Sequence, residues 1–383
     1  MRIAIVTNIL TPYRISFYKE LSVQLKEKKG ELKVFALTES LPLRPWTFEN
    51  LKEDFTMLVP GKKVFIKGED YLFNIAINRY LTEFNPDIVV IAGSWTYPTL
   101  WHVLLHKDKK VKYFFWTESH NQRATKVGTS NPVVMKLKQK FYEQFDGFCV
   151  PGKYARETVD KLIDSNKTYI RLPNLVDNDF FEQAIIIRKQ KEQLREKYNI
   201  KPEQIAIICP ARLISLKGIV PFLENAAQSK YIKRFIFLFA GDGPEKKNIE
   251  KISNEKGIET RLLGYCDQAI VRELYSISDI FLLPSLQDAN PLTSIEAAFS
   301  GLPLLVSIYT GNSPELVLDG ENGILFDTID TKSVIEAIDF LACANKEWYQ
   351  EAGNKSLAIA RKSFEGKKET SKLINSFESI LSI

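Results

Sequence analysis

Short apolar runs of strand length, separated by longer amphipathic stretches, recur along this 383-residue chain and constrain its fold more than any other feature. The runs are apolar on both faces, as in RIAIVTN (2–8), DIVVIAG (87–93) and FIFLFAG (235–241). Strands of that kind are typical of parallel sheets that helices cover on both sides. The predicted strands are 2–8, 32–37, 87–93, 112–117, 147–150, 169–173, 206–212, 235–241, 260–264, 279–285, 302–307 and 323–326.

The alternation of predicted strands and helices forms two blocks, which the charged helical stretch 178–204 separates. We therefore predict an α/β fold with two doubly wound, Rossmann-like domains that face a central cleft, with a hinge in the stretch 178–204. The predicted bounds are 1–177 for the first domain and 178–365 for the second. A C-terminal helix, 366–383, is expected to cross back to the first domain. A ligand is expected between the domains, at the carboxyl ends of the strands.

Composition narrows the class of protein. The chain is 45% hydrophobic and 26% charged, as in ordinary soluble proteins. Its net charge of +5 permits attraction to anionic substrates or lipid headgroups, and no basic-aromatic tract indicates nucleic acid. The four cysteines are far apart, which favours reduced thiols over disulfides or a zinc site. No run approaches the roughly 20 apolar residues that span a bilayer, so we expect a cytoplasmic protein whose membrane contact, if any, is peripheral on the inner face.

In the second half, polar residues follow the predicted strands. Arg212 and Lys217, in PARLISLKG, precede Gly218 and a predicted helix. Two cations near a helix start suit a diphosphate, although two solvated surface charges are the alternative. The turn FAGDGP contains Gly241 and would let a nucleotide approach the backbone, but it lacks the third glycine of a dinucleotide fingerprint.

The stretch PSLQDANPLTSIEAAFSGLP places Asp288 eight residues before Glu296. Asn290 is predicted to be the N-cap of a helix, Pro291 its first residue, and Gly301 its end. Glu296 then falls beside the apolar stripe of that helix. A half-buried glutamate needs a hydrogen-bond partner, and ribose hydroxyls are one candidate.

In this order and spacing, these segments resemble the family 4 retaining glycosyltransferases (glycosyl transferases group 1), which have the GT-B fold. The family hallmark, P-S-x-x-E-G-F-G-L-x-x-x-E-A with a later G-x-P and G-G-x-x-E, is similar to PSLQDANPLTSIEA, GLP and TGNSPELVLDGENGILF. PARLISLKG, GDGP, LPNLVD and IAIVTNILTPYR also look like family landmarks, so the resemblance covers nearly the whole chain. It implies metal-independent transfer of a hexose, with retention, from a UDP-sugar (UDP-glucose as the first choice) to a glycan or lipid-linked saccharide in polysaccharide biosynthesis.

Several site residues follow from the resemblance. It implies that Arg212 and Lys217 hold the donor diphosphate and that Glu296 binds the ribose hydroxyls. Asp288 stands where the family has its first glutamate, so it would contact the transferred sugar with a shorter reach. Asn312 replaces the second glycine of the later G-G, so the backbone there either avoids positive φ or uses the tolerance of asparagine for it.

Backbone groups complete the implied donor site. Amides near Asn290 and Leu292 would face the sugar and the phosphate. Pro291 stands where the family usually has glycine and has no N–H to donate, so Asn290 would supply a replacement donor. Leu263 and Gly264 would lie along the base.

In the first half, the family often carries a catalytic histidine after the fourth or fifth strand, a region that reads FFWTESHNQR here. The resemblance places Glu118 at that position and keeps His120 as a second candidate beside it, with Asp288 as the third catalytic candidate. An ordinary polar loop is the alternative. Arg14, after the first strand, would face the crevice and contact phosphate or acceptor.

Three further motifs have ordinary explanations. Asp177 and Asp179 spell D-x-D, which we expect to be a turn at the hinge rather than a metal site. His102 and His106 are four residues apart, but a packed helix explains them better than zinc. The basic face of 136–140 is either a solvated surface or a contact with anionic membrane.

Competing functions remain open. The same fold serves nucleotide-sugar epimerases and phosphorylases, and the D-A-N-P-L variation is compatible with a sugar-nucleotide-binding protein without turnover. A nicotinamide-dependent reductase is disfavoured because no complete glycine fingerprint follows the first strand. The expected partners are a UDP-sugar and a saccharide acceptor, with no separate cofactor, no metal and no nucleic acid.

Overall fold

The computed structural model divides the chain into two compact units, which are treated separately below. Unit 1 comprises Met1–Ser119, Val127–Leu175 and Gly366–Ile383, and unit 2 comprises His120–Lys126 and Val176–Glu365. The structure describes residues 1–40, 47–66, 69–124, 131–163 and 166–382.

Unit 1 is built on a seven-stranded parallel sheet with the order β3-β2-β1-β6-β7-β8-β9, accompanied by an antiparallel hairpin, β4-β5. The strands are β1 (Arg2–Thr7), β2 (Glu31–Ala36), β3 (Thr56–Leu58), β4 (Lys62–Ile66), β5 (Glu69–Phe73), β6 (Ile88–Ala92), β7 (Lys112–Trp116), β8 (Gly147–Val150) and β9 (Thr168–Arg171). The helices are α1 (Pro12–Glu27), α2 (Phe48–Leu51), α3 (Ile77–Phe84), α4 (Pro98–Leu105), α5 (Pro132–Glu143) and α6 (Lys153–Asp160).

Each face of the unit 1 sheet has its own core. In β1, Ala4 and Val6 pack into one core and Ile3 and Ile5 into the other, and all four are buried. Alternate residues of a strand point to opposite faces, so a strand covered on both sides must be apolar throughout. This explains the continuous apolar runs of the sequence.

Unit 2 is built on a six-stranded parallel sheet with the order β12-β11-β10-β13-β14-β15. The strands are β10 (Ile205–Pro210), β11 (Phe235–Ala240), β12 (Glu259–Gly264), β13 (Ile280–Leu283), β14 (Leu304–Ser307) and β15 (Gly323–Phe326). The helices are α7 (Asn178–Ile187), α8 (Lys191–Lys197), α9 (Ile219–Ala226), α10 (Lys246–Lys256), α11 (Gln268–Ile277), α12 (Leu292–Phe299), α13 (Ser313–Leu316), α14 (Thr331–Cys343) and α15 (Lys346–Ser363).

The order of unit 2 reverses between β10 and β13, which are neighbours in the sheet but far apart in sequence. In doubly wound sheets a ligand crevice opens at such a switch point, outside the carboxyl ends of the strands. The loops that follow β10 and β13 therefore flank the position where a ligand is expected.

The last helix, α16 (Gly366–Leu381), belongs to unit 1, where it packs against α1. The Phe377 ring lies 5.2 Å from the Phe114 ring of β7, and the Glu369 carboxylate accepts a hydrogen bond of 2.7 Å from Arg171 at the end of β9. The chain end thus covers the same face of the unit 1 sheet as α1.

The predicted fold class, α/β with two doubly wound Rossmann-like sheets, is confirmed, and each predicted strand is present. Sequence reasoning missed β3 and the hairpin β4-β5. All five residues of β4 are exposed, so that strand has no buried face to give it a pattern. In the described ranges, no helix is both long enough and apolar enough to cross a bilayer.

Candidate functional site

Loops at the carboxyl edge of the unit 2 sheet contact one another in the order of the strands that precede them. Gly241, after β11, forms a bridge with Gly264 at the end of β12. The Leu286 amide, after β13, donates to the Leu216 carbonyl oxygen, after β10, at 2.9 Å. The predicted donor-binding segments are therefore neighbours along one edge.

Two glycines permit this close approach. Gly218 has a φ of +65°, and a Cβ there would lie 2.2 Å from the Pro284 carbonyl oxygen. A Cβ at Gly241 would lie 1.9 Å from the Ala211 carbonyl oxygen. Side chains at these positions would push the loops apart, so the glycines are required for packing at the edge itself.

The structure joins two of the predicted site residues directly. The Lys217 ammonium forms an ion pair with the Asp288 carboxylate, and the Ser285 hydroxyl lies 3.5 Å from the same carboxylate oxygen. The side chains of Lys217 and Asp288 are only 18% and 16% exposed. The cation after β10 and the carboxylate after β13 thus neutralise each other at the switch point.

His120 supports the backbone of this loop. Its Nε2 donates to the Asp288 carbonyl oxygen at 2.8 Å, and the Gly311 amide donates to the same oxygen at 2.8 Å. The Gln122 amide donates to Nδ1 at 3.2 Å, which assigns the proton of a neutral ring to Nε2. Burial lowers the pKa of His120, and the contacts with Asp288 offset this only in part. His120 is therefore a neutral donor to the loop.

The start of α12 differs from the prediction by one residue. Pro291, with a ψ of 134°, is the N-cap and Leu292 is the first helical residue, so the assignment of Asn290 as N-cap and Pro291 as first residue was wrong. The fixed φ of proline suits both positions, and only ψ distinguishes them. The Asn312 amide donates to the Pro291 carbonyl oxygen at 2.9 Å and bonds with the Ser294 hydroxyl. Asn312 has a φ of −99°, so the backbone there avoids the left-handed region.

Glu296 lies on α12 between fully buried neighbours, Ile295 and Ala297. The Tyr275 hydroxyl of α11 lies 3.1 Å from its Oε2. Burial raises the pKa of Glu296 to about 7, and the hydrogen bond with Tyr275 lowers it only in part. Burial and the Glu296 charge together raise the pKa of Tyr275 well above its usual value. At neutral pH this carboxyl is therefore poised between its acid and its carboxylate form.

Arg212 and the start of α12 provide donors for an anion. Arg212 is exposed, and its side chain forms no hydrogen bond or ion pair with the described part of the protein. The first amides of a helix have no acceptor within the helix, and the helix dipole favours negative charge there. Together with Lys217, these groups can hold a diphosphate.

The segment predicted to lie along a base is open. Gly264 ends β12 with a φ of +71°, and no atom lies within 4 Å of the position of an added Cβ. Leu263 before it is half-buried, and Tyr265 after it is 83% exposed. This edge of the site therefore offers a flat backbone surface beside an aromatic ring.

In unit 1, the predicted residues Arg14 and Glu118 form an ion pair of 3.3 Å. Arg14 also lies over the Trp116 ring, 4.2 Å from its centroid. Burial opposes the charge of Arg14, but Glu118, Tyr13 and Tyr18 together hold the pKa of the guanidinium above its usual value. This pair lies where β1 and β7 end, at the carboxyl edge of the unit 1 sheet.

Residues 190–379, about half of the chain, match the family model of glycosyl transferases group 1. The chain belongs to the group 1 glycosyl transferases. It is 28% identical over 199 residues to alpha-monoglucosyldiacylglycerol synthase of Acholeplasma laidlawii, a match that covers 50% of each chain. It is 25% identical over 265 residues to N-acetyl-alpha-D-glucosaminyl L-malate synthase of Bacillus anthracis, covering 69% of this chain and 66% of that one. The matches thus span half to two thirds of these relatives.

Solved structures agree with the fold of this family member over its whole length. Sucrose-phosphate synthase from Thermosynechococcus elongatus has a TM-score of 0.74 at 15% identity, covering 100% of this chain and 99% of that one. Anabaena HepE in complex with UDP has a TM-score of 0.74 at 13% identity, covering 99% and 100%. These likenesses show the GT-B class of fold.

Other motifs of the sequence have structural partners. Asp177 is the N-cap of α7, where its carboxylate accepts from the Phe180 amide at 3.0 Å. The His106 ring contacts the His102 carbonyl oxygen at 2.9 Å, and the His102 ring contacts the Ile75 carbonyl oxygen at 3.2 Å. Backbone contacts thus explain these residues.

Sequence reasoning missed Tyr275 as the partner of Glu296 and Ser285 as a neighbour of Asp288. Tyr275 lies on a different helix, 21 residues before Glu296, and no local pattern links the two. Ser285 stands three residues before Asp288, so the turn after β13 could have suggested it.

Proposed function

We propose that this chain is a retaining glycosyltransferase that moves a hexose, with glucose as the first choice, from a UDP-sugar to a hydroxyl of a glycan or lipid-linked saccharide in polysaccharide biosynthesis. The observation that carries the proposal is that Glu296, a half-buried carboxyl, lies on α12, the helix that begins just after Asp288, the ion-pair partner of Lys217. The complexes of Anabaena HepE with UDP and with UDP-glucose support the donor. An Escherichia coli relative, 29% identical, is a UDP-Gal galactosyltransferase that acts on a diphosphoundecaprenol-linked sugar, which supports the acceptor class.

In this proposal unit 2 binds the donor. Arg212, Lys217 and the first amides of α12 hold the diphosphate and stabilise the charge that develops on it as the glycosidic bond breaks. Because these groups supply the compensating positive charge, the reaction needs no metal. Glu296, as a carboxylate, accepts hydrogen bonds from the ribose hydroxyls, and Asp288 contacts the sugar.

Unit 1 binds the acceptor in this proposal. Glu118, which forms an ion pair with Arg14, accepts a hydrogen bond from a hydroxyl of the acceptor. Attack on the same face as the departing phosphate retains the anomeric configuration, and that phosphate receives the hydroxyl proton. A lipid-linked acceptor would bring the enzyme to the inner face of the membrane, so a peripheral cytoplasmic location belongs to the proposal.

The test is UDP release from a panel of UDP-sugars by the wild type, Glu296→Gln and Glu224→Gln. Glu224 is an exposed glutamate of α9 and provides a matched control. We expect slow hydrolysis of one donor by the wild type and the control, reduced at least about tenfold in Glu296→Gln. Tight binding of UDP-sugars without release, even with saccharide acceptors, would instead favour a binding protein without turnover. Release only from GDP- or ADP-sugars would overturn the choice of base.

A further inference from the structure

Exposed apolar side chains in unit 1 are concentrated on one side of it. The layer formed by β4, β5, α4, α5 and their adjoining residues, here called the hairpin–helix layer, carries nearly all of them. In the described part of unit 1, Val23 and Leu381 are the only exposed large hydrophobic residues that lie elsewhere. Phe65 in β4 is 66% exposed and Val133 in α5 is 64% exposed. An asymmetry of this kind marks an interaction surface.

The elements of the layer are neighbours. The Thr99 hydroxyl of α4 donates to the Leu72 carbonyl oxygen of β5 at 2.6 Å, and the Trp101 ring of α4 lies 5.2 Å from the Phe141 ring of α5. The inward side chains of β5, α4 and α5 pack into one core on the same face of the sheet. Their outward side chains therefore belong to one continuous side of unit 1.

The first half of α5 is exposed all round. Residues 132–137 are all exposed, and full burial begins only at Phe141. The Asn131 side chain accepts from the Val133 amide at 2.9 Å, with Pro132 in the first turn, so local capping starts this helix without tertiary packing. Val133 and Leu137 are therefore exposed to water at the start of this helix, because no part of the described chain covers them.

The charge of this layer identifies what would cover it. Lys136, Lys138 and Lys140 alternate with the apolar residues of α5, which contains no acidic residue before Glu143. Lys62 and Lys63 begin the exposed strand β4. Aliphatic side chains that enter the headgroup region, flanked by lysines that attract anionic lipid, suit a bilayer surface. A nucleic acid would use the cations but would leave the exposed valines and leucine without a role.

We propose that the hairpin–helix layer docks unit 1 on the surface of an anionic lipid bilayer. The apolar end of α5 and the exposed apolar residues of β4 enter the interface, and the lysines remain at the level of the headgroups. This proposal concerns where the protein lies and does not depend on the transfer reaction, so a membrane-binding result and a UDP-release result are separate.

The test is co-sedimentation of the full chain with vesicles at about 0.1 M salt. Vesicles of phosphatidylcholine with about 30% phosphatidylglycerol are compared with vesicles of phosphatidylcholine alone. We expect binding to the anionic vesicles, weakened at least about tenfold by Val133→Glu with Leu137→Glu. Val23→Glu is the matched control: Val23 is 53% exposed on α1, and the variant should bind like the wild type. Replacing Lys136, Lys138 and Lys140 by glutamine should weaken binding by roughly fivefold per lysine.

Three outcomes would overturn the proposal. The first is a folded wild type that does not bind anionic vesicles. The second is an equal loss of binding in Val23→Glu and in the α5 variant. The third is a wild type that does not bind vesicles and is a dimer in light scattering, if Val133→Glu with Leu137→Glu makes it monomeric. A second copy of the chain would then cover the layer. Thermal unfolding of each variant checks that the fold is retained.

Discussion

The Lys217 ammonium, which follows β10, and the Asp288 carboxylate, which follows β13, form an ion pair at the switch point of the unit 2 sheet. A diphosphate bound there would meet a cation that is already partly neutralised. We predict that Lys217→Ala weakens UDP binding by roughly five- to thirtyfold, about 1–2 kcal/mol, because it removes an attraction and leaves Asp288 as an uncompensated negative charge. Isothermal titration calorimetry with UDP measures this.

The double variant distinguishes the two causes. Lys217→Ala with Asp288→Asn should recover part of the lost UDP affinity, because the amide no longer repels the phosphate. Asp288→Asn alone should bind UDP at least as tightly as the wild type. If the double variant binds UDP more weakly than Lys217→Ala, repulsion by the Asp288 charge is not a cause of the lost affinity.

Glu296 should release a proton when UDP binds. Its pKa is raised to about 7, so near neutral pH about half of the molecules carry the proton. Ribose hydroxyls that donate to the carboxylate favour its charged form and displace that proton. We expect release of up to about half a proton per UDP at pH 7, from calorimetry in buffers of different ionisation enthalpy. Glu296→Gln is the control for the titration of UDP itself, and equal release by both proteins would contradict the assignment.

The same carboxyl predicts how stability depends on pH. The pKa of Glu296 is higher in the folded chain, at about 7, than its ordinary value of 4.5. Folded Glu296 therefore binds protons more tightly, so its contribution to the free energy of unfolding is highest below about 4.5 and is lost as the pH rises through about 7. Glu296→Gln removes this loss, and we expect it to be more stable than the wild type by about 1–2 kcal/mol at pH 8, and by little at pH 5. Unfolding in urea at both pH values measures the difference, and equal changes at both would refute it.

The residues at the carboxyl edge of the unit 2 sheet could be predicted because the apolar runs define the strands and the polar residues follow them directly. Arg212, Lys217 and Asp288 therefore fell at the correct ends of β10 and β13. Pairings between distant elements could not be predicted, since Tyr275 lies on α11 and Glu296 on α12, 21 residues apart in sequence. Local periodicity carries no information about such contacts.

Arg188 links the ends of two helices of unit 2. Its guanidinium donates to the Ser300 and Gly301 carbonyl oxygens after α12, at 2.7 and 3.1 Å, and to the Tyr275 carbonyl oxygen of α11, at 3.3 Å. Burial lowers the pKa of Arg188, because the charged guanidinium has lost part of its hydration. We predict that Arg188→Ala destabilises unit 2 by about 2–4 kcal/mol, because buried helix-end carbonyls lose their donor. The exposed neighbour Lys189→Ala should cost under about 0.5 kcal/mol, measured by urea unfolding.

Arg171 and Glu369 hold the last helix on unit 1. The Glu369 side chain is only 3% exposed, and its carboxylate pairs with Arg171 at 2.7 Å and with Lys372 at 2.5 Å. We predict that Glu369→Ala destabilises unit 1 by about 2–4 kcal/mol, since it removes a buried carboxylate that both Arg171 and Lys372 contact. Released α16 should then be cut early in limited proteolysis. Glu378→Ala, on the same helix but 43% exposed in its pair with Lys28, should leave both stability and proteolysis nearly unchanged. Equal effects of the two variants would mean that α16 is held by its apolar face alone.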